Sequence, residues 1–183
     1  SVAYGVAELL LLLPQRFGNL YLARVAGQPE GSAQSAREIP LSTSAVVLGT
    51  AATAVLLAVA APWAIQVFYG RSFAGSVKPF LLLLPGVCAL AAGSVQNAYL
   101  SGAGRLDVNA RVAALGLILN VLNLLLIPSY GIAGAAVASS LTYGFQALWL
   151  IHTVARLAGA SPLAMLTSAP PAVLLDLLRR AFR

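Results

Sequence analysis

Charge is what this sequence has least of. Eleven Lys and Arg and five Asp and Glu are spread over 183 residues, so charged side chains make up 9% of the chain and apolar ones 60%. A soluble domain of this length needs a polar shell, and so few charges cannot supply one. The mean hydropathy of +0.87 lies outside the usual range of water-soluble domains and points to lipid as the surrounding medium. Cysteine and histidine are each present once. Cys88 has no intrachain disulfide partner and reads as a small packing residue within an apolar run.

Catalytic and metal-binding signatures are missing too. The chain contains no Gly-rich phosphate loop, no HExxH, no CxxC pair and no GxSxG. With one histidine, His152, one cysteine, Cys88, and only the acids Glu30, Glu38 and Asp107 outside spans and tail, a metal centre or nucleophile triad is hard to assemble. An enzyme is therefore not expected, and neither is a cofactor. An intramembrane transferase working through a lone Glu or Arg stays open, because such a site leaves little trace in spacing. The basic residues lie along short connections rather than in one patch, which excludes nucleic acid as the expected partner and favours a bilayer with anionic lipid. The sequence is apolar almost from Ser1 but lacks a basic n-region and a small-residue cleavage site, so it reads as part of a longer protein and not as a signal peptide.

What is present is a series of long apolar runs. A hydrocarbon core of about 30 Å needs roughly 20 apolar residues as helix. Five stretches meet this, near 2–24, 42–68, 79–101, 108–128 and 131–154. Between them lie helix-punctuating segments: Gly27 to Pro40, Tyr69-Gly70-Arg71-Ser72, Gly102 to Asp107, and Pro128-Ser129-Tyr130-Gly131. The expected fold is all-α, a polytopic transmembrane helix bundle over 1–155 with about five spans. A short tail over 156–183 follows, where Leu174, Leu175, Leu177 and Leu178 stand among Arg179, Arg180 and Arg183; it fits an interfacial amphipathic helix or a frayed end. Arg24, Arg37, Arg105, Arg111, Arg156 and the tail arginines fall on one side of this arrangement, and Arg71 and Lys78 on the other. Positive charge stays preferentially inside, so the C-terminus is expected in the cytoplasm. Trp63, Tyr69, Tyr99, Tyr130 and Trp149 lie near expected span ends and fit aromatic belts, and His152 reads as interfacial rather than as a proton relay.

Polar side chains mark the inward faces, because facing them to lipid is costly. At 100° per residue, Asn109, Ala113, Gly116, Asn120 and Asn123 fall within a stripe of roughly 80°. Gly86, Gly93 and Asn97 line up on the preceding span with Gln96 beside them, and Gly131, Ala135, Ser139, Thr142 and Gln146 form a small-polar face on the following one. Packing seams and a solvated lumen explain these stripes equally well. On the first expected span Tyr4, Glu8, Gln15 and Asn19 share a stripe, with Arg16 on its flank and Pro14 placed to kink the helix. An ionisable residue at a span centre costs about 2.5 to 3.5 kcal/mol even on lenient scales, so Glu8 and Arg16 are candidate functional residues. They are about 12 Å apart along a helix, too far to pair directly. The plainer alternative has Glu8 shallow and Arg16 snorkelling to the headgroups.

In order and spacing, several stretches resemble the C-terminal half of the polysaccharide flippase branch of the multidrug, oligosaccharidyl-lipid and polysaccharide exporter superfamily. The most specific runs from Asn120 through Ile127-Pro128 and Gly131-Ile-Ala-Gly-Ala-Ala to Ser140; Pro62 to Phe73, Asn97 to Arg105 and Glu8 to Arg24 support it. The resemblance implies a two-lobe transporter of which this chain holds most of one lobe, the N-terminal lobe being absent. Its implied cargo is a polyprenyl-pyrophosphate-linked glycan, moved across a bacterial cytoplasmic membrane by alternating access. Arg16 would hold the head group, with Glu8, Gln15, Asn19, Asn97, Asn120 and Asn123 lining the cavity. Alternatives are a drug or peptidoglycan-precursor exporter of the same superfamily, a structural membrane subunit of a glycan-assembly complex, or an intramembrane transferase.

Overall fold

The computed structural model describes residues 33–168, and every regular element among them is helical. Helix α1 spans Ala33–Tyr69, and Arg71–Ser76 form a 3₁₀ turn. Helices α2 (Val77–Gly102), α3 (Leu106–Leu119), α4 (Val121–Ala158) and a single turn, α5 (Ala164–Thr167), follow. The first expected span, 2–24, lies outside the described residues.

Among the described residues three runs are long and apolar enough to cross a membrane: Arg37–Tyr69, Arg71–Gly102 and Leu106–Ala158. This corrects the expectation of five separate spans, and the reason lies at the Pro128–Gly131 corner. The expected fourth and fifth spans meet there with no loop between them, two helical limbs joined across a sharp kink that follows Pro128. Only Gly131 leaves helical geometry, at φ 58° and ψ −138°, a region that side-chain-bearing residues avoid. The run is accordingly not straight. Gln146 Nε2 donates to the carbonyl of Val112 at 3.1 Å, although 34 helical residues would separate the two by about 50 Å if extended. The limbs 106–130 and 132–158 therefore fold back on each other, so closely that a Cβ on Gly134 would stand 2.2 Å from the carbonyl oxygen of Leu126.

A second expectation is corrected at Pro40, which was assigned to a connection but lies within α1. A proline in a helix deprives an upstream carbonyl of its donor. The carbonyl that Pro40 leaves without a donor is that of Ala36, in the first turn of α1; one turn further on, Thr43 Oγ1 donates to the carbonyl of Ile39 at 2.8 Å and Ser44 Oγ to that of Pro40 at 2.7 Å. The breaks at Gly70 and around Gly102 to Asp107 are where the sequence places them. At the latter, the Arg105 N–H reaches the Leu100 carbonyl at 2.8 Å across a left-handed Gly104, a helix-ending motif.

Two apolar clusters organise the packing. At one end Ile39, Tyr99, Leu100, Val108, Val154, Ala155 and Met165 come together; toward the other, Ala54, Ala61, Ile65, Phe80, Leu84 and Val87 do. Arg37, Arg105, Arg111 and Arg156 belong to chain ends at the first cluster, while Arg71 and Lys78 flank the turn at the second. Met165, fully buried, fastens α5 against this first cluster, so the described start of the tail is packed rather than frayed. The outer surface is apolar: Val55, Leu56, Val59, Trp63, Phe68, Leu117, Ile118, Leu124 and Ile132 are each more than 60% exposed. Soluble monomers rarely show apolar patches of this extent, and lipid is the medium that tolerates them. Length, composition and outer surface together are those of a multi-pass membrane protein. Trp63, Tyr69, Tyr130 and Trp149 are exposed as a belt requires. Tyr99 is not; it is 1% exposed in the first cluster, because its face of α2 is covered by other helices.

Candidate functional site: a polar cleft between three helices

The seam between α2 and the second limb of α4 positions the site. Its closest point is Gly86, where an added Cβ would lie 2.6 Å from the Cα of Ser140. Pro85, one residue earlier, has no N–H to give its own turn, and the Ser140 hydroxyl donates to the carbonyl of Leu82 at 2.7 Å. The two helices run parallel from there, since Gly93 next meets Leu150. With α3 laid across the same face, Leu90, Gly93 and Asn97 of α2, Asn109 of α3, and Tyr143 and Gln146 of α4 surround a cleft of about 140 Å³.

Most polar groups around the cleft are held. Asn109 Nδ2 donates to Ser101 Oγ at 3.0 Å and to the Asn97 carbonyl at 3.3 Å. Gln146 bonds the Val112 carbonyl while its amide lies over Gly116, where no side chain could fit without moving it. Asn109 Oδ1 is buried with no hydrogen-bond partner among the described residues, leaving one strong acceptor for water or a ligand donor. A polar cleft of this volume has room for water. It is below the roughly 300 Å³ of a drug-sized ligand, so these helices alone admit water or one functional group of something larger.

Of the sequence-derived candidates, Asn97 lines this cleft. Asn120 and Asn123 do not: they pair with each other, Asn123 Nδ2 donating to Asn120 Oδ1, at the junction of α3 and α4. The Asn123 N–H bonds the Asn120 carbonyl at 3.0 Å in a tighter, three-residue step. That step breaks the 100° phase on which the stripe from Asn109 to Asn123 was drawn. Arg16, Glu8, Gln15 and Asn19 lie outside the described residues. Tyr143 was missed by sequence reasoning, because an aromatic residue in an apolar span carries no polar signal until its neighbours are known.

Beside the cleft, at the start of α3, Asp107 stands between Arg105 and Arg111, at 3.4 Å from each. Asp107 also sits in the first helical turn, where a negative charge is favoured. All three are substantially exposed, so the cluster orients charge at the surface and adds little stability. Among the described residues no three His, Cys, Asp or Glu side chains converge as a metal site would need. No protein-family model matches the chain, and no curated protein or solved structure is similar to it.

Proposed function

We propose that this chain forms most of one lobe of a flippase that moves a polyprenyl-pyrophosphate-linked oligosaccharide or polysaccharide precursor across the bacterial cytoplasmic membrane. The observation that carries the reading is the distribution of polarity: an apolar outer surface is interrupted by an open cleft carrying Asn97, Asn109, Tyr143 and Gln146. A sugar or pyrophosphate cannot cross hydrocarbon unaided, and a wet, amide-lined route between helices removes that barrier. In this reading each folded-back limb of Leu106–Ala158 crosses the bilayer on its own, the arginine-rich end and the C-terminus face the cytoplasm, and a second lobe completes the cavity. Arg16 holds the pyrophosphate by charge-assisted hydrogen bonds, with Glu8, Gln15, Asn19, Asn97, Asn120 and Asn123 along the path. The sequence stretches from Asn120 to Ser140 and from Pro62 to Phe73 support it by their likeness to that transporter branch. The protein does no bond chemistry and needs no cofactor.

A second reading, a structural subunit of a glycan-assembly complex, is favoured by one observation: the Gly86 and Gly116 contacts are tight packing seams that would serve a static scaffold equally well. Single cysteines at positions 16, 97 and 109, introduced after Cys88→Ala, separate the two. A flippase path leaves them reactive to a membrane-impermeant thiol reagent from one aqueous side or the other, whereas a scaffold seals all three. In the complete protein, Arg16→Ala should stop delivery of glycan to the outer surface while synthesis and membrane insertion continue; normal delivery would remove Arg16 from the mechanism.

A further inference from the structure

A larger cavity lies away from the cleft, toward the other end of the bundle, and the cargo path does not use it. Leu57, Ala60, Ala61, Ala64 and Phe68 recur at three- and four-residue spacing along one face of α1. With Phe80 of α2 they line an apolar groove of about 450 Å³. Alanines at its centre keep it open. The neighbouring Val59 and Trp63 are 77% and 70% exposed, so it opens onto the lipid-facing surface. From Leu57 to Phe68 the helix rises about 16 Å, close to one leaflet of a core about 30 Å thick.

The headgroup end of this groove is charged. Immediately beyond Tyr69, which also lines it, the chain turns at Gly70, and Arg71 and Lys78 both stand exposed. Neither makes an ion pair among the described residues, whose salt bridges centre on Asp107 at the opposite end. No Asp or Glu occurs in the sequence between Glu38 and Asp107 to compensate them. A groove of leaflet depth that ends in two unpaired cations complements an amphiphile with an apolar chain and a negative head.

We propose that the groove seats one acyl chain of an anionic phospholipid, with the lipid phosphate held by Arg71 and Lys78. The chain supplies dispersion contacts that the alanine-lined face otherwise lacks, and the two cations choose the headgroup. This reading needs the membrane setting but not the glycan cargo, so either can fail without the other.

The test places the full chain in phosphatidylcholine nanodiscs with a trace of photoreactive phosphatidylglycerol carrying a diazirine on its acyl chain. Labelled peptides are then mapped by mass spectrometry. Labelling should concentrate on the segment from Ala60 to Phe68 and be displaced by unlabelled phosphatidylglycerol but not by phosphatidylcholine. Arg71→Gln with Lys78→Gln, both at exposed positions, should reduce labelling by roughly tenfold. Ala60→Phe with Ala64→Phe, both outside the buried cluster, should abolish it while the surface charge is unchanged. Equal labelling by the phosphatidylcholine probe would overturn the proposal. So would a photoreactive amino acid at position 64 that captures another part of the same chain in place of lipid.

Discussion

The seam between α2 and α4 and the outer half of α1 are both lined by small residues, yet one is closed and the other open. At the seam, Gly86 lies against the backbone of Ser140, and the Ser140 hydroxyl bonds a helical carbonyl next to Pro85. On α1, Ala60 and Ala64 line an apolar groove whose floor is the buried Ala61, and the groove remains open. In hydrocarbon, lipid tails are as apolar as leucine, so burying an alanine face against a helix gains little over burying it against lipid. Small residues permit approach; a hydrogen bond or a backbone-level fit makes the approach preferable.

The contrast is broken most directly at Gly86. Gly86→Leu puts a branched side chain where backbone already stands at 2.6 Å, and a Cα cannot swing aside as a side-chain tip can. The helices must part, the Ser140 bond to Leu82 is lost, and overpacking of this kind costs about 1–3 kcal/mol. Thermal unfolding in detergent should register a clear fall in midpoint. The matching change on α1, Ala60→Leu, is made at an exposed groove position and should leave the midpoint almost unmoved. Equal effects at the two sites would dissolve the distinction.

Gly131 probes a different kind of closure, in which the chain's own turn brings two limbs together. Its φ of 58° with ψ of −138° is available to glycine, and space around its Cα is open, so Gly131→Ala introduces backbone strain without a clash. Such strain costs about 1–3 kcal/mol. Because the limbs are also tied by Gln146 and Val112, the loss should fall at the lower part of that range and appear as a modest drop in the same midpoint. A spin-label distance between positions 117 and 145 should broaden as the turn loosens. An unchanged distance and midpoint would mean that the interlimb contacts, not the glycine, set the fold-back.

How much of this was legible in the sequence follows the same division. Composition and run length disclose the all-helical, lipid-facing character, because they depend on the solvent and not on partners. Punctuation at Gly70 and near Gly104 is local chemistry and was readable as such. The Pro40 connection was not, since a proline this close to a helix start takes the donor from one first-turn carbonyl and does not by itself end the helix. The corner at Pro128 to Gly131 was readable from its punctuation, but not that a single glycine turns the chain there without a loop. Gly86, Gly93, Asn97 and Gln96 were placed on an inward face by periodicity, but periodicity could not distinguish Asn97 at a cleft from Gln96 sealed between helices. Phase arithmetic failed from Asn120 to Asn123 because the helix tightens at that step.

The smallest expected effect is at Gln96, and it tests the rule from its other side. Gln96 is fully buried, and its Nε2 donates to Thr43 Oγ1 at 2.8 Å, tying α1 to α2 by a side-chain bond with no glycine-close backbone beneath it. Its Oε1 has no partner among the described residues, so half of the amide is buried without compensation. Polar bonds between helices in membranes average about 0.6 kcal/mol in double-mutant cycles, and an unpaired acceptor offsets part of that. Gln96→Met keeps the side chain's length and removes both the bond and the orphan oxygen, so its effect on stability should be near zero. A cycle with Thr43→Val should return a coupling of about half a kcal/mol, within the range such bonds show. A coupling several times larger would mean that a lone hydrogen bond can close a seam without close backbone approach. The open face of α1 would then stay open for want of a polar residue alone.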